Sequence, residues 1–291
     1  MTTMDFGIFA ALAAPYVTTD GLVALGQEAE ARGVESLWLA EHVVLFDDYA
    51  PDYPYDENGR FPATADSGIL EPLSTLAFIA GQTSTIRLGT GILLLPQRNP
   101  VYTAKEVANI DWLSGGRFDL GIGVGWCQEE FAAVAVSWPK RGKRTDEYIA
   151  VMRSLWTEDV SSFSGEFYEL DKARMYPKPA QAAVPIHIGG ESDAAMARAA
   201  RLGDGWYTFN RLPEDVGPAL ARLDDLLEQN GRSRADVQIS VCPYMHPLTP
   251  DMVDQYRDAG VDRVIGMVFG AGADDFKAGI EALEPCLDRT R

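Results

Sequence analysis

Residues 184–206 read VPIHIGGESDAAMARAARLGDGW. A short apolar run, Val184–Ile188, ends in Gly189 and Gly190, and a polar turn, Glu191-Ser192-Asp193, opens an alanine-rich helix that stops at Gly203. This is a strand, a tight glycine turn and a helix N-terminus. Paired glycines let a ligand come close to the backbone. The first turn of a helix offers unpaired N–H groups and the positive end of its dipole, which suits a phosphate. Ser192 and Asp193 are both able to cap it. Two readings stand at this point: a phosphate site, or a βα turn in which glycine only solves geometry. Glu191 favours the first only if its side chain turns away.

The same unit recurs along the chain. Strand patterns fall at Asp5–Ala10, Ser36–Ala40, Ile86–Leu95, Arg117–Val124, Pro185–Gly189, Gly205–Phe209, Val237–Tyr244 and Arg263–Phe269. Helical patterns follow them at Asp20–Arg32, Glu71–Thr83, Pro100–Leu113, Glu129–Val136 with Arg144–Trp156, Ser192–Leu202, Glu214–Gln229, Pro250–Ala259 and Asp274–Leu287. Strict alternation implies a parallel sheet. Eight such units close a barrel, so the expected fold is an α/β, (β/α)8 TIM barrel formed by residues 1–291 as one domain. A doubly wound open sheet is the competing topology. Two connections are longer than usual: Glu41–Leu70 after the second strand and Trp138–Ala183 after the fourth, the latter with a basic patch at Pro139–Arg144 and a small hairpin expected over Phe163–Leu170. Both insertions follow strands and so belong to the C-terminal face, where barrel active sites lie.

Composition limits the function. The chain has 291 residues, 46% of them apolar, with a formal net charge of −18. Such acidity argues against nucleic acid and against anionic membrane surfaces, and it requires local positive groups for any anionic ligand. Cys127, Cys242 and Cys286 lie far apart without a CxxC, and the histidines make no HExxH, so neither a disulfide nor a metal is expected. The apolar run Phe6–Ala14 has no basic residue before it and reads as a strand of a mature protein. No segment approaches a membrane span. A cytoplasmic setting is expected.

Glu41 and His42 close the second strand pattern. His42 is the imidazole placed for general acid–base work, with Glu41 to orient it or to bind a cofactor edge; loop anchoring is the other reading. Gly89 and Gly91 interrupt the third strand, which suggests a bulge or a close backbone approach, with room for a flat ring against Gly91-Ile92. Arg98 follows, able to meet a phosphate or a carboxylate. Gly121, Gly123 and Gly125 alternate along the fourth strand and clear one face, and Trp126 is placed to stack on a ring. The GxGxG is not a dinucleotide fingerprint. Cys127 reads as a packing residue, His187 as a buried histidine, and His246 as a weaker catalytic candidate.

Taken together, EHV after strand 2, LGTGILLLPQRNP, LSGGRFDLGIGVGWCQEEF and IGGES…LGDGW resemble the luciferase-like superfamily of flavin- and deazaflavin-dependent oxidoreductases over residues 4–209. The resemblance implies a TIM barrel, a homodimer, and a non-prolyl cis peptide at Gly91–Ile92 beneath the cofactor ring. It implies catalytic roles for Glu41 and His42, and cofactor contacts from Gly125, Trp126, Glu129, Gly189, Gly190 and Ser192. LPQRNP, GVGWCQEEF and FSGEFYEL are most similar to the coenzyme F420 branch. Trp126 stands where that branch often has an acid, although some of its members carry tryptophan there, as this chain does. The implied activity is hydride transfer between coenzyme F420 and a small organic substrate. The alternatives are an FMN-dependent monooxygenase using reduced FMN and oxygen, and a non-catalytic flavin-binding protein.

Overall fold

The computed structural model describes residues 4–13 and 16–291. Its strands are β1 (Asp5–Ala11), β2 (Ser36–Leu39), β3 (Arg87–Thr90), β4 (Leu93–Leu94), β5 (Phe118–Gly123), β6 (Ser161–Ser164), β7 (Glu169–Ala173), β8 (Ile186–Gly189), β9 (Gly205–Phe209), β10 (Gln238–Cys242) and β11 (Arg263–Phe269). All except β6 and β7 lie in one parallel sheet, in which β1 pairs with both β2 and β11 and the pairing of β3 with β5 closes the ring. β3 and β4 are two pieces of one barrel strand, each paired to β5. The expected barrel is therefore the observed one. The apolar run at the N-terminus forms β1; its last residue, Ala14, lies outside the described residues.

Parallel barrel strands are buried on both faces, which is why they read as nearly continuous Val, Ile, Leu and Phe. The outer core lies between strands and helices and includes Leu37, Leu88, Leu120, Ile186, Ile239 and Val264, all with no exposed surface. Burying each such side chain contributes roughly 1.5–3 kcal/mol. A smaller cluster fills the barrel interior: Phe9, Trp38, Tyr207, Cys242 and Ile265. Gly89 is required there, because a Cβ would strike the Trp38 indole.

Helix starts carry the expected caps. Asn99 accepts from the backbone N–H groups of Val101 and Tyr102, and Ser192 from that of Ala195, each ahead of its first turn. Thr18 caps the first helix, Thr19–Ala31, which begins one residue before the expected Asp20. Gly231 and Gly260 follow their helices with φ of +68° and +88°, the left-handed conformation that glycine adopts without penalty.

Three details differ from the sequence reading and one agrees with it. The third barrel strand breaks after Thr90 and runs into a short 3-10 turn at Leu95–Gln97. The basic patch is not a loop: Arg141 begins the helix Arg141–Thr157. The last helical pattern divides into Ala273–Ala282 and Glu284–Leu287. The hairpin is present, antiparallel, as β6 and β7. Among the described residues no helix is long and apolar enough to cross a membrane, and no group of three or more His, Cys, Asp or Glu side chains is placed to hold a metal.

Candidate active site

A cavity of about 890 Å³ opens at the C-terminal end of the barrel. That is in the upper part of the range of roughly 300–1,000 Å³ usual for small-molecule sites. Its floor is the broken third strand, where the Gly91–Ile92 peptide is cis. Ile92 explains the glycines around it. A Cβ on Gly123 would overlap the Ile92 side chain, and one on Gly189 would lie 2.7 Å from its Cγ2. At Gly121 a Cβ would run into the Thr90 carbonyl. Gly121 and Gly123 thus clear space for the Thr90–Ile92 ledge, and Gly125 for Phe131, not for a ligand directly as the sequence suggested. The ledge then presents Gly91 and Ile92 to the cavity.

One pole of the cavity is polar. Gly189, Gly190 and Ser192 line it, with the helix Asp193–Leu202 starting behind them. Gly190 has φ of +114°, so a side chain there would strain the backbone whatever the ligand does. Glu191 turns away from the helix start. Its carboxylate accepts from the Phe209 N–H at 2.6 Å, the Thr208 hydroxyl at 3.2 Å and the Tyr55 hydroxyl at 2.7 Å. Burial raises its pKa, and these donors offset only part of the rise.

Arg141 also lines the cavity, bonded to the segment after β5, the strand next to β8, and among the described residues it is the one Lys or Arg side chain on the wall. Its guanidinium carbon lies 3.6 Å from the Trp138 ring centroid, and its Nε donates to the Gly125 carbonyl at 3.2 Å. Sequence reasoning did not assign this arginine a role. Its signal was the basic patch following a strand at the active face of an acidic chain.

His42 lines the cavity with its side chain 8% exposed. Glu41 is not its partner. The Glu41 carboxylate accepts from the Leu94 N–H at 2.5 Å and from Arg98 at 2.7 and 2.8 Å. Arg98 in turn meets Glu71 at 2.6 Å and Glu106 at 3.1 Å. Glu41 therefore anchors the turn after the ledge, and burial raises its pKa despite Arg98. Glu130 faces His42 instead, with Oε2 3.2 Å from Nδ1. The neighbouring Glu129, expected at the cofactor, does not line the cavity; it accepts from the Ala50 N–H at 2.9 Å.

The long segment after β2 covers the mouth with aromatic side chains. Tyr53 donates to or accepts from Tyr244 at 2.9 Å, and Phe61 packs against His42 with centroids 4.6 Å apart. Trp126 lines the cavity but packs edgewise on Tyr49 and Tyr53, at 5.6 and 5.2 Å. Met267, Phe269, Leu70 and Phe9 complete an apolar wall away from Arg141. Two buried acceptors in this region, Tyr207 Oη and Asn210 Oδ1, have no hydrogen-bond partner among the described residues. His187 is buried and lies outside the cavity, with its ring nitrogens likewise unpartnered, so it is less well satisfied than expected. His246 is exposed and does not reach the cavity. Cys127 is buried and unpaired with any sulfur.

Comparison with known proteins bears on the fold and the family. Rv0940c of Mycobacterium tuberculosis (strain ATCC 25618 / H37Rv), an uncharacterized protein, is 33% identical over 251 residues, covering 84% of this chain and 83% of its own. The monooxygenase RslO1 from Streptomyces bottropensis has a similar structure, with a TM-score of 0.77 at 22% identity over 99% of this chain and 100% of its own. The coenzyme F420 dependent tetrahydromethanopterin reductase from Methanopyrus kandleri reaches 0.75 at 17% identity, covering 100% of each chain. At those identities the two structures speak to the fold alone. The family model described as luciferase-like monooxygenase matches residues 4–270, nearly the whole barrel and every residue of the cavity wall discussed above, and the chain belongs to that family.

Proposed function

We propose that this chain is a hydride-transferring oxidoreductase whose cavity holds a deazaflavin of the coenzyme F420 type and a small organic substrate. One observation carries the reading: the Gly91–Ile92 ledge, the helix start at Gly189–Ser192 with Arg141, and the His42 imidazole converge on one cavity. The residues fit such a cofactor. The apolar ledge suits a flat ring, and a phosphate suits the polar pole. When bound, the cofactor supplies or receives the hydride.

The remaining work belongs to side chains of this protein. Arg141 and the free N–H groups of the first helical turn balance a phosphate charge locally, as a chain of net charge −18 requires. Glu191, turned toward Tyr55 and Phe209, leaves that pole free. His42 holds or takes the proton that accompanies the hydride. Tyr53 and Phe61 keep bulk water off the reacting face, which strengthens each polar contact inside. The similarity of residues Pro96–Pro100 and Gly121–Phe131 to the deazaflavin branch favours that cofactor.

Trp126 favours a second reading, an FMN-dependent monooxygenase. An aromatic enclosure at the position where deazaflavin enzymes often carry an acid suits oxygen chemistry that must exclude water. Titration with the deazaflavin and with FMN, followed by quenching of Trp126 and Trp138, separates them. The expected result is deazaflavin binding tighter by about tenfold or more. Tighter FMN binding, with substrate-dependent oxygen uptake on reduced FMN, overturns the first reading. Tight binding without turnover over a broad substrate panel makes the protein a flavin carrier.

A further inference from the structure

Glu130 sits behind His42, 1% exposed and outside the cavity wall, on the short helix Gln128–Ala133. Its Oε1 accepts from the Val43 backbone N–H at 2.7 Å. Its Oε2 lies 3.2 Å from Gln97 Nε2 and 3.2 Å from His42 Nδ1. We propose that Glu130 is a positioning residue that fixes His42 as its Nδ1–H tautomer, so that the cavity receives a lone pair on Nε2 and the substrate group meeting His42 is a hydrogen-bond donor, such as a hydroxyl.

The argument is one of donor and acceptor accounting. A neutral imidazole has one N–H and one lone pair, and the group bonded to one nitrogen sets the role of the other. Both oxygens of Glu130 already face N–H donors, so the carboxylate is held as an acceptor. With the proton on Nε2, the Nδ1 lone pair would point at a carboxylate oxygen in a buried site. Each acceptor left unpaired in such a site costs about 1–3 kcal/mol. With the proton on Nδ1, three donors converge on Glu130 and nothing is left over. The ring is held in this pose by Phe61 and Trp126, with centroids 4.6 and 5.7 Å away. Nε2 makes no hydrogen bond among the described residues and is not buried, so a ligand in the cavity can reach it.

The inference rests on the reading of this cavity as an active site, but its first test needs no cofactor. Nitrogen-15 spectra of histidine-labelled protein at about pH 8, above the ordinary histidine range, report which ring nitrogen carries the proton, and a His42→Gln sample assigns the signal. The expected wild-type result is a protonated Nδ1 and a bare Nε2. In Glu130→Gln the Val43 N–H keeps the amide oxygen at the Oε1 position, and the amide NH2 takes the place of Oε2. Gln97 accommodates it by turning its own Oε1, unpartnered in the wild type, toward the new donor. The amide then donates to Nδ1, and the proton of His42 moves to Nε2.

Turnover of that variant should fall by about 10²–10⁴-fold, as for a mis-set histidine tautomer, with cofactor affinity within about threefold. Glu130→Asp, which keeps the acceptor, should keep the wild-type tautomer. A wild-type His42 protonated at Nε2 overturns the proposal, and that spectrum decides even if Glu130→Gln does not fold. An unchanged tautomer in a folded Glu130→Gln also overturns it. The expected spectra in a protein that binds neither cofactor would instead leave this assignment standing and remove the proposed function.

Discussion

The two ends of the barrel use the same residue types in opposite ways. At the N-terminal end, Arg87 grips Asp119 through two bonds of 2.7 and 2.6 Å, and Arg263 grips Glu35 through two of 2.9 and 2.8 Å. Arg263 also donates to Ser240 and lies 5.1 Å from the Trp38 ring centroid. Nearly every donor there has an acceptor; His187, 3.8 Å from Asp119, is the exception. At the C-terminal end Arg141 has a single carbonyl partner, Tyr207 and Asn210 carry unpartnered acceptors, and His42 keeps one nitrogen free. A closed network contributes stability and leaves nothing for a ligand. Buried polar groups left open cost stability and are retained where a ligand completes them.

Titration follows the same division. Burial pushes the Asp119 carboxyl upward, but His187 and the two donors of Arg87 outweigh it and hold the group well below the usual carboxylate range. Glu41 and Glu191, at the other end, are raised by burial. The signs are opposite. A depressed carboxyl contributes stability above its ordinary value that is lost as pH falls toward the folded value. A raised one takes up protons more readily when folded, so acidification favours the fold.

The largest expected effect is at the open end. His42→Ala should lower turnover by about 10²–10⁴-fold while cofactor affinity, read by tryptophan quenching, changes by less than about threefold. Turnover near wild type at saturating cofactor and substrate would make His42 a wall of the cavity and nothing more. At the closed end, Arg87→Leu leaves Asp119 buried and unpaired, which should cost about 3–5 kcal/mol in urea denaturation. Adding Asp119→Asn should recover part of the loss. The gap between wild type and Arg87→Leu should narrow as pH falls toward and through the ordinary carboxylate range, because the lone buried carboxyl takes up its proton before the paired one does. A gap under about 1 kcal/mol at neutral pH would show that the closed network is not what stabilises this end.

How far the sequence disclosed these ends depended on the range of the signal. Most βα units are announced locally, by a buried strand and by a cap or a glycine stop, so the barrel was legible. The ledge was legible too, because Gly89 and Gly91 mark the break in the third strand. The partner of His42 was not, since Glu130 stands 88 positions away. Glu129 and Glu130 are equivalent as text, yet consecutive residues of a helix point about 100° apart, and only packing decides which faces the histidine. Arg141 was hidden among neighbours of like charge. The alternating glycines misled, because the space they clear is filled by the Thr90 carbonyl, Ile92 and Phe131.

Arg141 sharpens the comparison at the polar pole, where the proposed phosphate would sit. Arg141→Ala should weaken cofactor binding by roughly ten- to a hundredfold, the worth of one or two hydrogen bonds to a charged group, with no loss of stability in urea. Arg141→Lys should restore only part, because an ammonium lacks the planar fork. Raising salt should reduce the wild-type affinity and leave the alanine variant less affected. Equal affinities for all three proteins would place the phosphate on the backbone of Gly189–Ser192 alone.

Glu191→Gln carries the smallest effect and the clearest sign. The amide oxygen keeps the Phe209 N–H, and the amide NH2 can donate to the Tyr55 oxygen, so no hydrogen bond need be lost. What is lost is a buried negative charge beside the phosphate pole. At neutral pH the variant should therefore equal the wild type or exceed it by up to about 1 kcal/mol, and bind the cofactor phosphate somewhat more tightly. As pH falls toward the ordinary glutamate range, the wild type gains stability through protonation of Glu191 and the difference should close, the reverse of the trend at Asp119. Destabilisation by more than about 2 kcal/mol would mean that the ionised carboxylate is an essential anchor for Tyr55 and β9. The two ends of the barrel would then obey the same rule of closed, charge-paired networks, and the contrast between them would reduce to Arg141 and His42.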